Sequence, residues 1–358
     1  MTIWRWADRF EPVPVEARVT LGEGDTPIVH SRRLGPALGM PQLYFKLETT
    51  NPSGSYKDRF GAAAVSHMVA AGQTKCIATS SGNTGAALAA YCAAANIECR
   101  IAIVETAPMG KLKQMLSYGA KLARVRGFGT DPAITDEVIA RLQEIGQRPD
   151  WALQISAFVH SPLGMSGVQS VSFELAEQLP GRVDRVFCPA GSGGLCIATA
   201  QGFLALQKQG ELAGCPRVEC VQPEGNNTVA GPLREGALQA RSVQCTSTIS
   251  GLQVASVIDG DLAVEACRAT GGSGYLVTDE EIWETQRELA RTEGIFAEPA
   301  GAASVAAVVR ALREQRLETD EVVVCLITGS GFKDDQAVDR MIGHDACPLT
   351  EAADLATW

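Results

Sequence analysis

The run Asn51-Pro52-Ser53-Gly54-Ser55-Tyr56-Lys57-Asp58-Arg59 sets a lysine between a turn and an apolar segment. Asn-Pro and Ser-Gly form turns, and Phe60 to Ala71 reads as a helix. A lysine at a helix start feels the positive end of the helix dipole, which disfavours its charge and lowers its pKa. A neutral amine is what Schiff-base formation with an aldehyde cofactor requires. A lysine on its own is more often a solvated surface charge. The reading of Lys57 gains from three other stretches that accept the same ligand.

Ser80-Ser81-Gly82-Asn83-Thr84-Gly85 lies between a strand and an Ala-rich helix. Backbone amides at that helix start would face an anion, and small side chains let a carboxylate approach closely. Ser, Asn and Gly there also serve as ordinary helix caps. Cys188-Pro189-Ala190-Gly191-Ser192-Gly193-Gly194-Leu195 repeats the strand, glycine turn and helix order. The dinucleotide fingerprint fails because its third glycine would fall at Cys196. What remains is a glycine nest feeding a helix N-terminus, suited to one phosphate monoester. Thr328-Gly329-Ser330-Gly331 follows the last strand and puts hydroxyls where parallel sheets gather ligands.

Other chemistries are poorly supported. No G-x-S-x-G elbow occurs, so a hydrolase serine is not indicated. The four histidines, His30, His67, His160 and His344, lack ligand spacing, so no zinc site is expected. A formal charge of −10 without a long Lys/Arg run argues against nucleic acid or an anionic membrane as partner. Eleven cysteines, an odd number with no CxxC pair, fit reduced and mostly buried thiols in a cytoplasm. No signal peptide is visible at Met1–Trp6, and the longest apolar run, near residues 86–95, is too short to span a bilayer.

These stretches must be positioned by alternating elements. Helices are expected over 60–71, 85–95, 111–118 and 132–145, with strands over 76–79, 99–104 and 121–126 between them. A second series begins near Trp151, with helices over 168–178, 195–207, 279–293 and 300–313 and strands over 182–188, 218–222 and 321–327. Thr278 with Glu281 forms a capping box, and Pro299 opens a helix. The pattern predicts an α/β protein with mostly parallel sheets. Two interleaved domains are expected, a smaller one at 57–150 and a larger one at 1–56 plus 151–358, with the active site in the cleft between them.

Together these motifs resemble the fold-type II pyridoxal-phosphate enzymes (tryptophan synthase β-like), and within them the threonine synthase branch. Gly22-Glu23-Gly24-Asp25-Thr26-Pro27 looks like that branch's opening motif, and Asn51–Arg59 like its Schiff-base motif. Gly110–Gln114 with Gly119-Ala120, Glu298–Ala303 and Thr328–Asp334 complete a likeness that runs from about residue 20 to 335. The resemblance implies pyridoxal 5'-phosphate as cofactor and an amino acid as small-molecule substrate. Lys57 would bind the cofactor covalently and shuttle protons, and Asn83 would meet the ring hydroxyl. Ser81, Gly82, Asn83 and Thr84 would receive the substrate carboxylate, while Gly191, Ser192, Gly193, Gly194 and Leu195 would cradle the cofactor phosphate. Thr328 or Ser330 would offer a hydroxyl to the pyridine nitrogen. A homodimer is implied as well.

The likeness has departures. The branch carries an arginine near Gly164 that grips the substrate phosphate, yet no Lys or Arg lies between Arg148 and Arg182. Ser330 stands where the branch has histidine, and Phe60 where it has glycine. Lys111, Lys113, Arg59 and His160 are the replacement donors the sequence offers, with Ser161 and Ser166 beside His160. Three functions follow: threonine synthase, converting O-phosphohomoserine and water to threonine and phosphate; a β-eliminating or β-replacing relative acting on serine, threonine or an activated serine; and a binding protein without turnover. The complete lysine motif argues against the last.

Overall fold

Ten short strands alternate with helices, and the strands that carry continuous apolar runs are those covered on both faces. In a computed structural model, which describes residues 1–80, 82–343, 347 and 349–357, the strands are β1 Ile28–His30, β2 Leu43–Leu47, β3 Lys75–Thr79, β4 Glu98–Val104, β5 Lys121–Val125, β6 Trp151–Gln154, β7 Arg185–Pro189, β8 Arg217–Pro223, β9 Gly274–Val277 and β10 Val323–Ile327. A six-stranded sheet has the order β1-β2-β10-β7-β8-β9, and a four-stranded sheet the order β5-β4-β3-β6. Every pairing is parallel except β1 with β2. Each residue of β7 and β10 is buried, as central parallel strands require. The α/β class with mostly parallel sheets therefore holds.

Some boundaries differ from the sequence reading. β6 pairs with β3, so the smaller sheet runs past residue 150. The helix expected over 279–293 is α-helical only over Asp279–Glu288 and continues as a π-turn, Leu289–Glu293, ending at Gly294. Its capping box is present, Thr278 accepting from the Glu281 amide. The helix Gly260–Ala269 and strand β9 were not foreseen.

Helices meet at small residues, which accounts for the Gly- and Ala-rich composition. A Cβ placed on Gly164 would lie 2.8 Å from Ala64 Cβ and from Phe60 Cε2. The short helix Pro162–Ser166 therefore rests directly on helix Lys57–Ala70. The carboxyl ends of β2, β3, β6, β7 and β10 lead into the segments that carry Lys57, Asn83, Ser156, Gly191 and Thr328. That edge is where open parallel sheets place ligands.

Candidate active site

Four helices start at one cleft of about 680 Å³: Lys57–Ala70, Asn83–Ala94, Gly194–Lys208 and Pro299–Arg313. None of the four has a side-chain cap at its N-cap residue. The first-turn amides of Asn83–Ala94 and Gly194–Lys208 face the cleft without a capping side chain, whereas those of Lys57–Ala70 bond back to Ser55 and Tyr56. Converging positive helix ends suit an anion that carries both a phosphate and a carboxylate. The volume is that of an ordinary ligand pocket.

Lys57 is the first residue of its helix and lines this cleft. Its Nζ donates to Ser156 Oγ at 2.9 Å and lies 4.5 Å from the Tyr56 ring centroid. Ser156 Oγ in turn shares a hydrogen bond with Thr84 Oγ1 at 2.7 Å. Burial pushes the Lys57 amine down to about 8, against the opposing pull of Asp259 and Glu298. The direction matches the sequence reading, with burial as the main cause.

The turn before Lys57 is fixed from below. Ser53 N and Oγ both donate to the Asp58 carboxylate, at 2.8 and 2.7 Å. Arg59 is fully buried and spans Glu48 and Glu174, with contacts of 2.6 to 2.8 Å. Lys46 adds a 2.7 Å bond to Glu174, and Thr26 Oγ1 donates to Glu48 at 2.7 Å. This network ties the segment around Thr26 to the lysine motif. Arg59 is thereby spent on structure and is no free donor to a substrate.

Asn83 and Thr328 line the cleft and meet on Glu298. Asn83 Nδ2 lies 3.1 and 2.9 Å from the two Glu298 oxygens, and Thr328 Oγ1 donates to Oε1 at 3.0 Å. Burial raises the Glu298 carboxyl above its usual range, opposed by these two donors. The sequence motifs assign no role to Glu298 or to Ser156. Their positions, opening a helix and just past the end of a strand, were the signals available.

The nest is present. Gly191, Ser192, Gly193, Gly194 and Leu195 all line the cleft. Gly193 has φ +101°, and a Cβ there would stand 2.4 Å from Ala263 Cβ. Only glycine fits, and the backbone can then wrap a phosphate. This cradle, the uncapped helix starts and the amine with a lowered pKa fit pyridoxal phosphate.

Other expected residues fall elsewhere. Gly82 and Thr84 line the cleft with Asn83, and Ser81 lies outside the described residues. Ser330 does not line it; its amide donates to Gly54 O and its hydroxyl accepts from Phe332 N. His160 is also absent from the lining, because Phe158 and Val159 amides bind Asp259 and hold that turn to one side. Ser161 accepts from Ile155 N, and Ser166 donates to Leu163 O. Lys113 is exposed. Lys111 does line the cleft, its Nζ held by Ser250 Oγ at 2.6 Å and Asp334 Oδ2 at 3.0 Å. Lys333 lines it too, donating to Gln114 at 2.6 Å.

The class is defined by this arrangement together with the sequence: residues 19–329 match the family described as pyridoxal-phosphate dependent enzyme. The chain belongs to that family and has the fold-type II architecture, with pyridoxal phosphate as its cofactor. Among curated relatives, threonine synthase of Methanocaldococcus jannaschii is 33% identical over 342 residues, 94% of this chain and 82% of that one. Threonine synthase of Methanosarcina acetivorans is 33% identical over 341 residues, 94% and 81% of the two chains. Among solved structures, threonine deaminase isoform 2 from Solanum lycopersicum superposes with a TM-score of 0.74 at 20% identity, covering 94% of this chain and 91% of that one. That likeness concerns the fold. Among the described residues no helix is long and apolar enough to cross a membrane.

Proposed function

We propose that this protein is a threonine synthase-like enzyme that converts O-phosphohomoserine and water to threonine and phosphate. The observation that carries this reading is Lys111, a cation in the same cleft as Lys57. It offers the charge-assisted donor that a dianionic phosphate needs. Gly164 has no room for the arginine of the branch, so the cation has to come from another element. The threonine synthase relatives at 33% identity support the same reading.

Bound pyridoxal phosphate would act as the electron sink for carbanions of the amino acid. The residues of the chain do the rest in this reading. Lys57 holds the cofactor covalently and, once released, carries protons at Nζ. Ser156 and Thr84 keep that atom in place. Gly82, Asn83 and Thr84, with Ser81, receive the substrate carboxylate, and Asn83 also meets the ring hydroxyl. Gly191 to Leu195 hold the cofactor phosphate. Thr328, which lines the cleft, meets the pyridine nitrogen in preference to Ser330. Two domains, each built around one sheet, would close on the ligand, in a cytoplasmic homodimer as the resemblance implies. Light scattering checks the dimer.

The test is a parallel assay of O-phosphohomoserine, threonine, serine, O-phosphoserine and O-acetylserine, reading phosphate, keto acid and new amino acid. Phosphate with threonine from O-phosphohomoserine is the expected result. Keto acid from serine or threonine alone would instead make the protein a dehydratase. That second reading is favoured by the Gly-Ser-Gly-Gly-Leu turn, which is closer to the dehydratases and cysteine synthases than to the threonine synthase branch.

A further inference from the structure

Outside the lining of the cleft, three cysteines converge in the smaller sheet. Cys76 and Cys99 are register partners on β3 and β4, and Cys92 comes from the helix Asn83–Ala94 packed on those strands. Their sulfurs all lie within 4.8 Å of one another, and among the described residues no histidine or carboxylate joins them. All three are buried free thiols in an apolar cluster with Val65, Met68, Leu88 and Ile101. The remaining buried cysteines differ. On the larger sheet Cys196 faces the thiols of Cys188, Cys220 and Cys267, yet among the described residues no three of those sulfurs lie within 4.8 Å of one another.

The geometry selects the ligand. A pyramidal three-coordinate centre bonded to three sulfurs at roughly 2.3 Å each holds them about 3.4 Å apart, so sulfurs within 4.8 Å of one another close on it by side-chain movement on the order of 1 Å. Charge then decides between elements. Three thiolates on a divalent ion leave one net negative charge in apolar surroundings, and a monovalent ion leaves two. Such a charge is costly without partners, and among the described residues the cluster around these thiols is apolar. Four-coordinate zinc also lacks its last ligand. A trivalent, three-coordinate, thiophilic centre gives a neutral complex and needs nothing more.

We propose that Cys76, Cys92 and Cys99 form a three-thiol site for one trivalent thiophilic element, with arsenite as its probe. Arsenous acid, As(OH)₃, reacts with the three thiols: three S–H and three As–O bonds break, and three As–S bonds form. Three waters leave, and arsenic stays trivalent, so no oxidant or reductant is needed. The site lies at the amino end of the strands, opposite the edge that carries the cleft. It is just beneath the surface, since Thr74, Ala93, Ala94 and Asn96 are exposed. Asn96, with φ +54°, makes the turn between the helix and β4.

The experiment incubates holoenzyme, kept reduced with a phosphine, with arsenite. It reads the intact mass and the cysteines protected from alkylation. One arsenic per chain, replacing three hydrogens, with Cys76, Cys92 and Cys99 protected together, is expected. Cys92→Ala should weaken binding by at least the roughly 10–100-fold seen when a metal site loses even a supporting partner. Cys196→Ala should leave it unchanged. Cofactor absorbance and the melting curve report whether each variant is folded, and the wild-type protection map stands even if one is not. No arsenic on wild type, whether incubated folded or refolded with arsenite present, overturns the proposal. So does protection of Cys188, Cys196, Cys220 or Cys267 in place of the trio, or undiminished binding by folded Cys92→Ala.

Discussion

Asn83 Nδ2 spans the carboxylate of Glu298, at 3.1 and 2.9 Å from its two oxygens, so a residue at the carboxyl end of the smaller sheet is held by one that opens a helix on the larger. Thr328 reaches the same carboxylate, which leaves Glu298 to orient both side chains proposed to touch the cofactor ring. Glu298→Gln keeps the shape but replaces an acceptor pair with one acceptor and one donor. Hydrogen bonds to a charged group are worth about 1.5–3 kcal/mol, so cofactor affinity should fall roughly ten- to a hundred-fold. Equilibrium dialysis of cofactor checks this, and an unchanged affinity would remove Glu298 from the site.

The lowered pKa of Lys57 sets a pH dependence for cofactor capture. With the amine at about 8, roughly a tenth is neutral at pH 7, against a few parts in ten thousand for an ordinary lysine. The rate at which apoenzyme takes up pyridoxal phosphate should rise with pH and flatten just above 8. A rate still climbing steeply at pH 10 would contradict the assignment. Borohydride should fix the cofactor on the peptide that contains Lys57, and Lys57→Ala should admit it only noncovalently.

Two neighbouring glycines separate binding from folding. Gly193 combines φ +101° with a 2.4 Å approach to Ala263, so Gly193→Ala should destabilise even cofactor-free protein by about 1–3 kcal/mol. At Gly194 the nearest atom to an added Cβ is the mobile end of Met165, at 2.8 Å. Gly194→Ala should therefore barely shift the apoenzyme melting temperature while weakening cofactor binding. Equal stability losses at both positions would show that the turn has only a structural role.

Acid should weaken the fold through Arg59. Its guanidinium holds Glu174 down at about 2 and Glu48 below its usual range, against the cost of burial. Carboxyl groups whose pKa is lower in the folded state contribute stability above about 4.5, and lose it as pH falls towards 2. Arg59→Ala leaves two buried carboxylates short of their partner and should cost about 3–5 kcal/mol near neutrality. Urea unfolding at pH 7 and pH 4 measures both effects.

Strands β3, β4, β7, β8 and β10 and their helices were legible because β-branched runs and Ala-rich segments alternate cleanly between them. Strand β9 was not, since it has only four residues and Gly271, Gly272 and Gly274 at its start are turn-forming types. In the structure, Cβ atoms on Gly272 and Gly274 would fall 2.1 Å from Val218 O and 1.8 Å from Ala230 O, so these glycines permit close backbone approach. Within the candidate site, local turn chemistry marks Lys57, Asn83 and the glycine turn, and all of them line one cleft. Ser156 and Glu298 act through partners far away in sequence, Thr84 with Lys57 and Asn83 with Thr328, which no local pattern reports.

Lys111 carries the substrate prediction. Sequence alone could not separate it from Lys113, two residues along the same helix, yet Lys113 is exposed and Lys111 lines the cleft between Ser250 and Asp334. Asp334 offsets part of its charge when no anion is bound, and a phosphate would compete for the ammonium. Lys111→Met removes a charge-assisted donor and should raise KM for O-phosphohomoserine about ten- to a hundred-fold, in line with 1.5–3 kcal/mol. Turnover of serine, which has no phosphate, should change little. Lys111→Arg should recover part of the loss, because it restores charge without the same reach. The wild-type KM for the phosphorylated substrate should also rise with ionic strength more steeply than that of the variant. If Lys111→Met left that KM unchanged, the anion subsite would have to be sought at Lys333.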